Sequence, residues 1–213
     1  MRRSVRSVLA VVVVLLAGCA VRPPARPAPA VPTPLTLKVY LYLDHDFTTR
    51  FGPASGSGGE HARRWLEAAD RQISAQFPLR LRLAGIGAWA LPPGAVDGKV
   101  IFTKYAPHTI PPGADCLIAL TGRRGVYWSG ISQWPRVFLK AQAAEPVDEK
   151  TVALLCHEIS HWFGMVDIID ASFPERSVMN YKDKRFGMVK GRVVWDRANR
   201  ERLRHGLSTW PDT

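Results

Sequence analysis

His157 and His161 stand four residues apart with Glu158 beside the first, in the run His157-Glu158-Ile159-Ser160-His161. Residues at that spacing lie one above the other on a helix face, so both imidazoles reach a single cation. Zinc suits nitrogen donors, and a site with few protein ligands keeps one position open for water. Glu158 follows the first ligand directly and cannot comfortably share the ion, but its reach suits it to act as general base toward that water. Three residues past His161 comes Gly164, where the chain must leave the helix sharply if a third ligand is to swing back. Glycine tolerates the left-handed backbone such an exit needs. Asp167 is then placed to offer a carboxylate oxygen, with Asp170 and His205 as lesser alternatives.

Downstream runs Ser177-Val178-Met179-Asn180-Tyr181. Together the two segments resemble the metzincin clan of zinc peptidases, which pair an extended helix motif with a methionine-bearing turn beneath the metal. The resemblance implies one catalytic zinc ion held by His157, His161 and Asp167, with Met179 as an apolar floor. It also implies that Tyr181 matches the tyrosine that approaches the metal in astacins and serralysins and stabilises the oxyanion. Histidine is the usual third ligand; aspartate there resembles the snapalysin group. An anionic ligand partly neutralises Zn²⁺ and weakens its lowering of the water's pKa. In the clan an edge strand pairs with extended substrate, and Gly125 to Ile131 corresponds to it by order along the chain. The implied activity is a zinc-dependent endopeptidase, a monomer acting on peptide or protein substrates. A rival reading is an envelope peptide-binding or structural lipoprotein that keeps zinc without turnover. Glu158 argues against it, since a structural site has no need of a base. A zinc hydrolase of non-peptide bonds is not separated from a peptidase by the sequence.

The elements that must position these residues follow from periodicity. Leu35 to Leu43 alternates apolar and polar residues, the pattern of a half-buried strand. A loop is expected over Gly52 to Gly59, then a helix over Glu60 to Phe77 that Pro78 stops. Leu79, Leu81 and Leu83 alternate with arginines; further strand-like runs occupy Lys99 to Thr103, Asp115 to Leu120, Val126 to Ile131 and Arg136 to Leu139. Asp148 is a candidate N-cap for the active-site helix, whose stripe of Val152, Leu155, Cys156, Ile159 and Phe163 runs to Gly164. Asp196 caps a last helix through Leu207. The class that the metzincin resemblance implies for these elements is α+β: a metzincin-like zincin domain with a twisted, mostly parallel sheet of about five strands and an antiparallel edge strand. That sheet packs on the active-site helix, with a first and a C-terminal helix completing the domain.

Arg2, Arg3 and Arg6 precede an apolar run from Val8 to Ala17 that ends in Gly18 and Cys19. The run is too short to cross a hydrocarbon core of about 30 Å and reads as a signal peptide over residues 1–18. Leu16-Ala17-Gly18-Cys19 resembles the lipobox of bacterial lipoproteins, which implies export, acylation of Cys19 and anchorage in a lipid bilayer. Ala20 is not the aspartate that marks inner-membrane retention, so the outer membrane is expected in a Gram-negative cell. Residues 19–34 form a Pro/Ala-rich tether and 35–213 the peptidase domain. The net charge of +11 over 213 residues includes five arginines of leader and tether. Arg63, Arg64, Arg71, Arg80 and Arg82 are scattered rather than set in an aromatic-interleaved stripe, so nucleic acid is not an expected partner. Cys116 and Cys156 are open between a disulfide and two buried thiols. Cys156 belongs to a core stripe, and Asp44, His45 and Asp46 read as the polar end of a strand.

Overall fold

The computed structural model describes residues 33–53, 56–141, 149–170, 172–180 and 187–210. The leader, Cys19, the tether to residue 32, Asp148 and Tyr181 lie outside them.

Strand β1, Leu35–Leu43, buries Leu37, Val39, Leu41 and Leu43 while Thr36 and Lys38 face out, as the alternation predicts. It pairs in parallel with β2, Leu79–Ala88, on one side and with β3, Cys116–Thr121, on the other. All six residues of β3 are buried, as expected of a parallel strand covered on both faces. Two more strands complete the sheet: β4, Gly130–Gln133, and β5, Arg136–Lys140, in the order β2-β1-β3-β5-β4. Strand β4 runs antiparallel at the edge; the other neighbours are parallel. The α+β architecture and the antiparallel edge are thus those expected.

A short helix α1, His45–Phe51, and a long one, α2, Ser57–Ser74, follow β1. After α3, Gly98–Val100, the chain widens into a π-helical turn over Ile101–Tyr105; α4, Glu149–His161, and α5, Arg197–Ser208, come later. Trp65, Leu66 and Ile73 of α2 join Val152, Leu155, Cys156 and Ile159 of α4 in one apolar cluster with Leu37, Val39 and Leu41 of the sheet. A smaller cluster of Ile101, Phe102, Ala119, Val126 and Phe138 covers the opposite face.

Several boundaries differ from the sequence reading. Lys99 to Thr103 is helical, because Asp97 caps it by accepting from the backbone N–H groups of Lys99 and Val100 at 2.8 and 3.3 Å. Helix α2 starts within the expected loop, where Gly58 lies so close to the Gly52 carbonyl that any Cβ would collide with it. The polar end of β1 is a helix entrance rather than a loop: Asp44 caps α1 through the Phe47 N–H at 2.6 Å and also takes the Thr121 hydroxyl and the Gly122 N–H. Asp46 pairs with Arg123, so both carboxylates of the triplet hold the fold together. A hairpin of β6, Met188–Val189, and β7, Arg192–Val193, has no counterpart in the periodicity. Cys116 and Cys156 are both free and buried, which settles the pair as thiols; Cys156 lies in the core as its stripe predicts. Among the described residues no helix is long and apolar enough to cross a membrane.

Candidate metal centre

Every residue of α4 from Thr151 to Ser160 is buried, so the helix is fixed along its length before it delivers His157, Glu158 and His161. The helix closes at His161, and the turn that follows reaches Gly164, whose φ of 80° is the left-handed exit expected there. A Cβ there would meet nothing within 4 Å, so backbone conformation alone accounts for the glycine. The returning chain is then held at each step. The Met165 carbonyl accepts from His161 Nδ1 at 2.9 Å. The Asn199 side chain binds Val166 twice, accepting from its N–H at 3.1 Å and donating to its carbonyl at 3.2 Å. Ile168 N–H donates to the Met179 carbonyl at 2.8 Å. Asp167, between these two anchored residues, is carried back over the helix.

The methionine-bearing turn takes part through its backbone. The Val178 carbonyl accepts from His157 Nδ1 at 2.8 Å, and Met179 is fully buried in the main core. Ser177 braces the turn, with its hydroxyl accepting from Met179 N–H at 3.2 Å and donating to Asp196 at 2.7 Å. On the far side of α4, Trp195 Nε1 donates to the Ser160 hydroxyl at 2.9 Å.

These anchors bring three donor atoms together. His157 Nε2 and His161 Nε2 are 3.2 Å apart, and Asp167 Oδ1 lies 3.2 Å from the first and 3.4 Å from the second. Zinc bonds of about 2.0–2.2 Å in a tetrahedron set neighbouring donors about 3.3–3.6 Å apart, so the triangle fits one face of such a site. Protonation supports the fit. A main-chain carbonyl only accepts, so each Nδ1 carries a proton, and in a neutral ring Nε2 is then a bare lone pair. Two lone pairs facing each other at 3.2 Å beside a carboxylate repel unless a cation lies among them.

Electrostatics point the same way. Burial opposes ionisation of Asp167, but hydrogen bonds and charges from His157 and His161 outweigh it and hold its carboxyl well below the usual range. Burial likewise opposes protonation of His161, yet bonds to Asp167 and the Met165 carbonyl raise its pKa. Positive charge is therefore drawn into the space between the three groups.

Glu158 is 4 % exposed, and its Oε1 is 4.0 Å from His157 Nε2, longer than the edge of a shared coordination shell. His157, Glu158 and His161 also form a compact metal-competent group, but the shorter distances favour Asp167 over Glu158 as third donor. Burial pushes the Glu158 carboxyl up to about 7, against the lowering effect of both histidines. Asp170 is used by the N–H and hydroxyl of Ser172, and His205 lines a cavity whose walls include Trp162 and Trp210 but none of the three donors. The expected edge strand over Gly125 to Ile131 overlaps β4 only at its last two residues; Gly125, with φ 80°, belongs to a turn instead.

With this geometry in hand, the chain is similar to a solved structure of archaemetzincin from Methanopyrus kandleri. The TM-score is 0.50 at 14% identity, over 81% of this chain and 96% of that one. The likeness shows a shared fold. A chain in the structure of a chaperone-substrate complex gives a TM-score of 0.47 at 13% identity over 68% of this chain, which spans 25% of that chain's length. No family model matches the chain, and no curated protein does.

Asn199 and the carbonyls of Met165 and Val178 are what sequence reasoning missed as site-building groups. Ser177 and Val178 stood in the methionine-bearing motif with no role assigned to them, and Asp196 was legible only as a helix cap.

Proposed function

We propose that the chain is a zinc-dependent endopeptidase of the cell envelope. The observation that carries this reading is the convergence of His157 Nε2, His161 Nε2 and Asp167 Oδ1 beside the buried carboxylate of Glu158. Those three residues would hold the ion. When bound, zinc supplies a Lewis acid and an open coordination position for water and the scissile carbonyl. As the water oxygen bonds to the carbonyl carbon, Glu158 accepts a proton from that water and passes it to the amine nitrogen on which the breaking C–N bond leaves its electron pair. Among the described residues no strand pairs with the outer edge of β4, and an extended peptide adds there as a further strand. Met179 serves as the apolar floor, and Tyr181 is assigned to the oxyanion by resemblance alone. Cys19 is the acyl anchor in the bilayer, with the tether of residues 19–34 spacing the domain from it. The name archaemetzincin belongs to the clan that the motifs resemble, which supports the reading.

The test is cleavage of a peptide library by the zinc-loaded chain and by Glu158→Ala. Wild type is expected to cut, and the variant to cut at least about 100-fold more slowly while holding the same zinc. Wild type that binds zinc and cuts nothing would favour the rival reading of a binding lipoprotein.

A further inference from the structure

Gly130 opens β4 opposite Leu139 of β5, on the edge strand that packs against α4. It is not among the positive-φ glycines, so its backbone conformation would accept any residue. Space is what excludes one. A Cβ at this position would run into the Glu158 carboxylate, lying 2.8 Å from both Cδ and Cγ. Several other glycines of the chain are crowded by main chain: Gly122 by Asp46, Gly187 by Ser177 and Val178, Gly206 by Phe163. At Gly130 the three nearest atoms all belong to Glu158.

A glutamate has three side-chain torsions, and ordering them costs free energy that some contact must offset. Glu158 is anchored on α4 at one end, and its carboxylate end is met by the bare backbone of β4 at Gly130. We propose that Gly130 is a positioning residue: its missing side chain lets the edge strand lie directly on Glu158 and hold the carboxylate in place beside His157 and His161. The proposal rests on the reading of Glu158 as base. The same strand offers its outer edge to substrate, so one element sets the position of both the base and the peptide it acts on. A methyl group at 130 must displace either the carboxylate or the strand, and a misplacement on the order of 1 Å costs about 100-fold in rate.

A double-variant cycle separates positioning from packing. Wild type, Gly130→Ala, Glu158→Ala and the double variant are compared for thermal unfolding, zinc per chain, and kcat and KM on a cleaved peptide. Gly130→Ala is expected to lower kcat about 100-fold, with KM within about 3-fold of wild type and zinc content unchanged. It is also expected to lower Tm in the wild-type background and not in Glu158→Ala, where the atoms the methyl would strike are gone. An equal loss of Tm in both backgrounds, or an unchanged kcat, overturns the proposal. If Gly130→Ala does not fold, a folded double variant supports it and an unfolded one overturns it. Wild type without turnover sinks the peptidase reading instead, and the unfolding cycle then still decides the Gly130–Glu158 contact.

Discussion

His157 and His161 each spend one nitrogen on a main-chain carbonyl, and that choice leaves the other pair facing each other across a gap the size of a coordination edge. Asp167 supplies the charge that makes the gap attractive to a cation. Asp167→Ala keeps both imidazoles but removes the third donor, so zinc affinity is expected to fall more than the roughly 10–100-fold seen when only an outer-shell partner is lost. Competition against a chromophoric chelator measures this. Affinity equal to wild type would mean that Asp167 is not a ligand. The side chains of this cluster were legible because their types and spacing are unusual. The carbonyls of Val178 and Met165 were not, since every residue carries one and only the fold selects which two receive the Nδ1 protons.

Among the elements, long periodic ones were legible and short ones were not. The alternation of β1 gave its bounds correctly, and the Asp196 cap located the start of α5. Helix α1 has seven residues, too few for propensity to speak, and depends on Phe47 and Phe51 packing edge-on against Trp65. The apolar run at Lys99 to Thr103 looked like a strand because a short run has no decisive period, and the Asp97 cap overrode it. Helix α5 looked like a simple amphipathic closure, yet its Asn199 binds both backbone groups of Val166, next to Asp167. Asn199→Ala frees that segment without touching the donors. Zinc affinity is expected to drop about 10–100-fold, the range for lost outer-shell support. Titration calorimetry with zinc checks it, and an unchanged affinity would leave Asn199 as a packing residue only.

At the scale of the whole molecule, the mostly parallel sheet was expected from the clan resemblance, because strand order is not written in periodicity. The turn at Ser177 and the cap at Asp196, 19 residues apart in sequence, meet through a side-chain hydrogen bond. Asp196 is buried, accepts from Ser177, from Asn199 N–H and from the Asn199 amide, and so couples that turn to α5. Burial raises its carboxyl's pKa, but these hydrogen bonds outweigh burial and the net shift is downward. A carboxyl depressed in the folded state contributes stability that is fully present above its unfolded pKa of about 3.9 and is lost as pH falls through the lower folded value. Asp196→Asn removes that charge. In chelator-treated protein the variant is expected to be less stable than wild type by about 1–3 kcal/mol at neutral pH, the range for a buried hydrogen-bonded group left short of partners. The gap between the two should then narrow as the pH drops below about 4, because only wild type has this carboxylate to lose. Denaturant unfolding from pH 7 to pH 2.5 measures both curves. A gap that stays constant across that range would mean that Asp196 acts by shape and not by charge, and the coupling of the methionine-bearing turn to α5 would rest on packing.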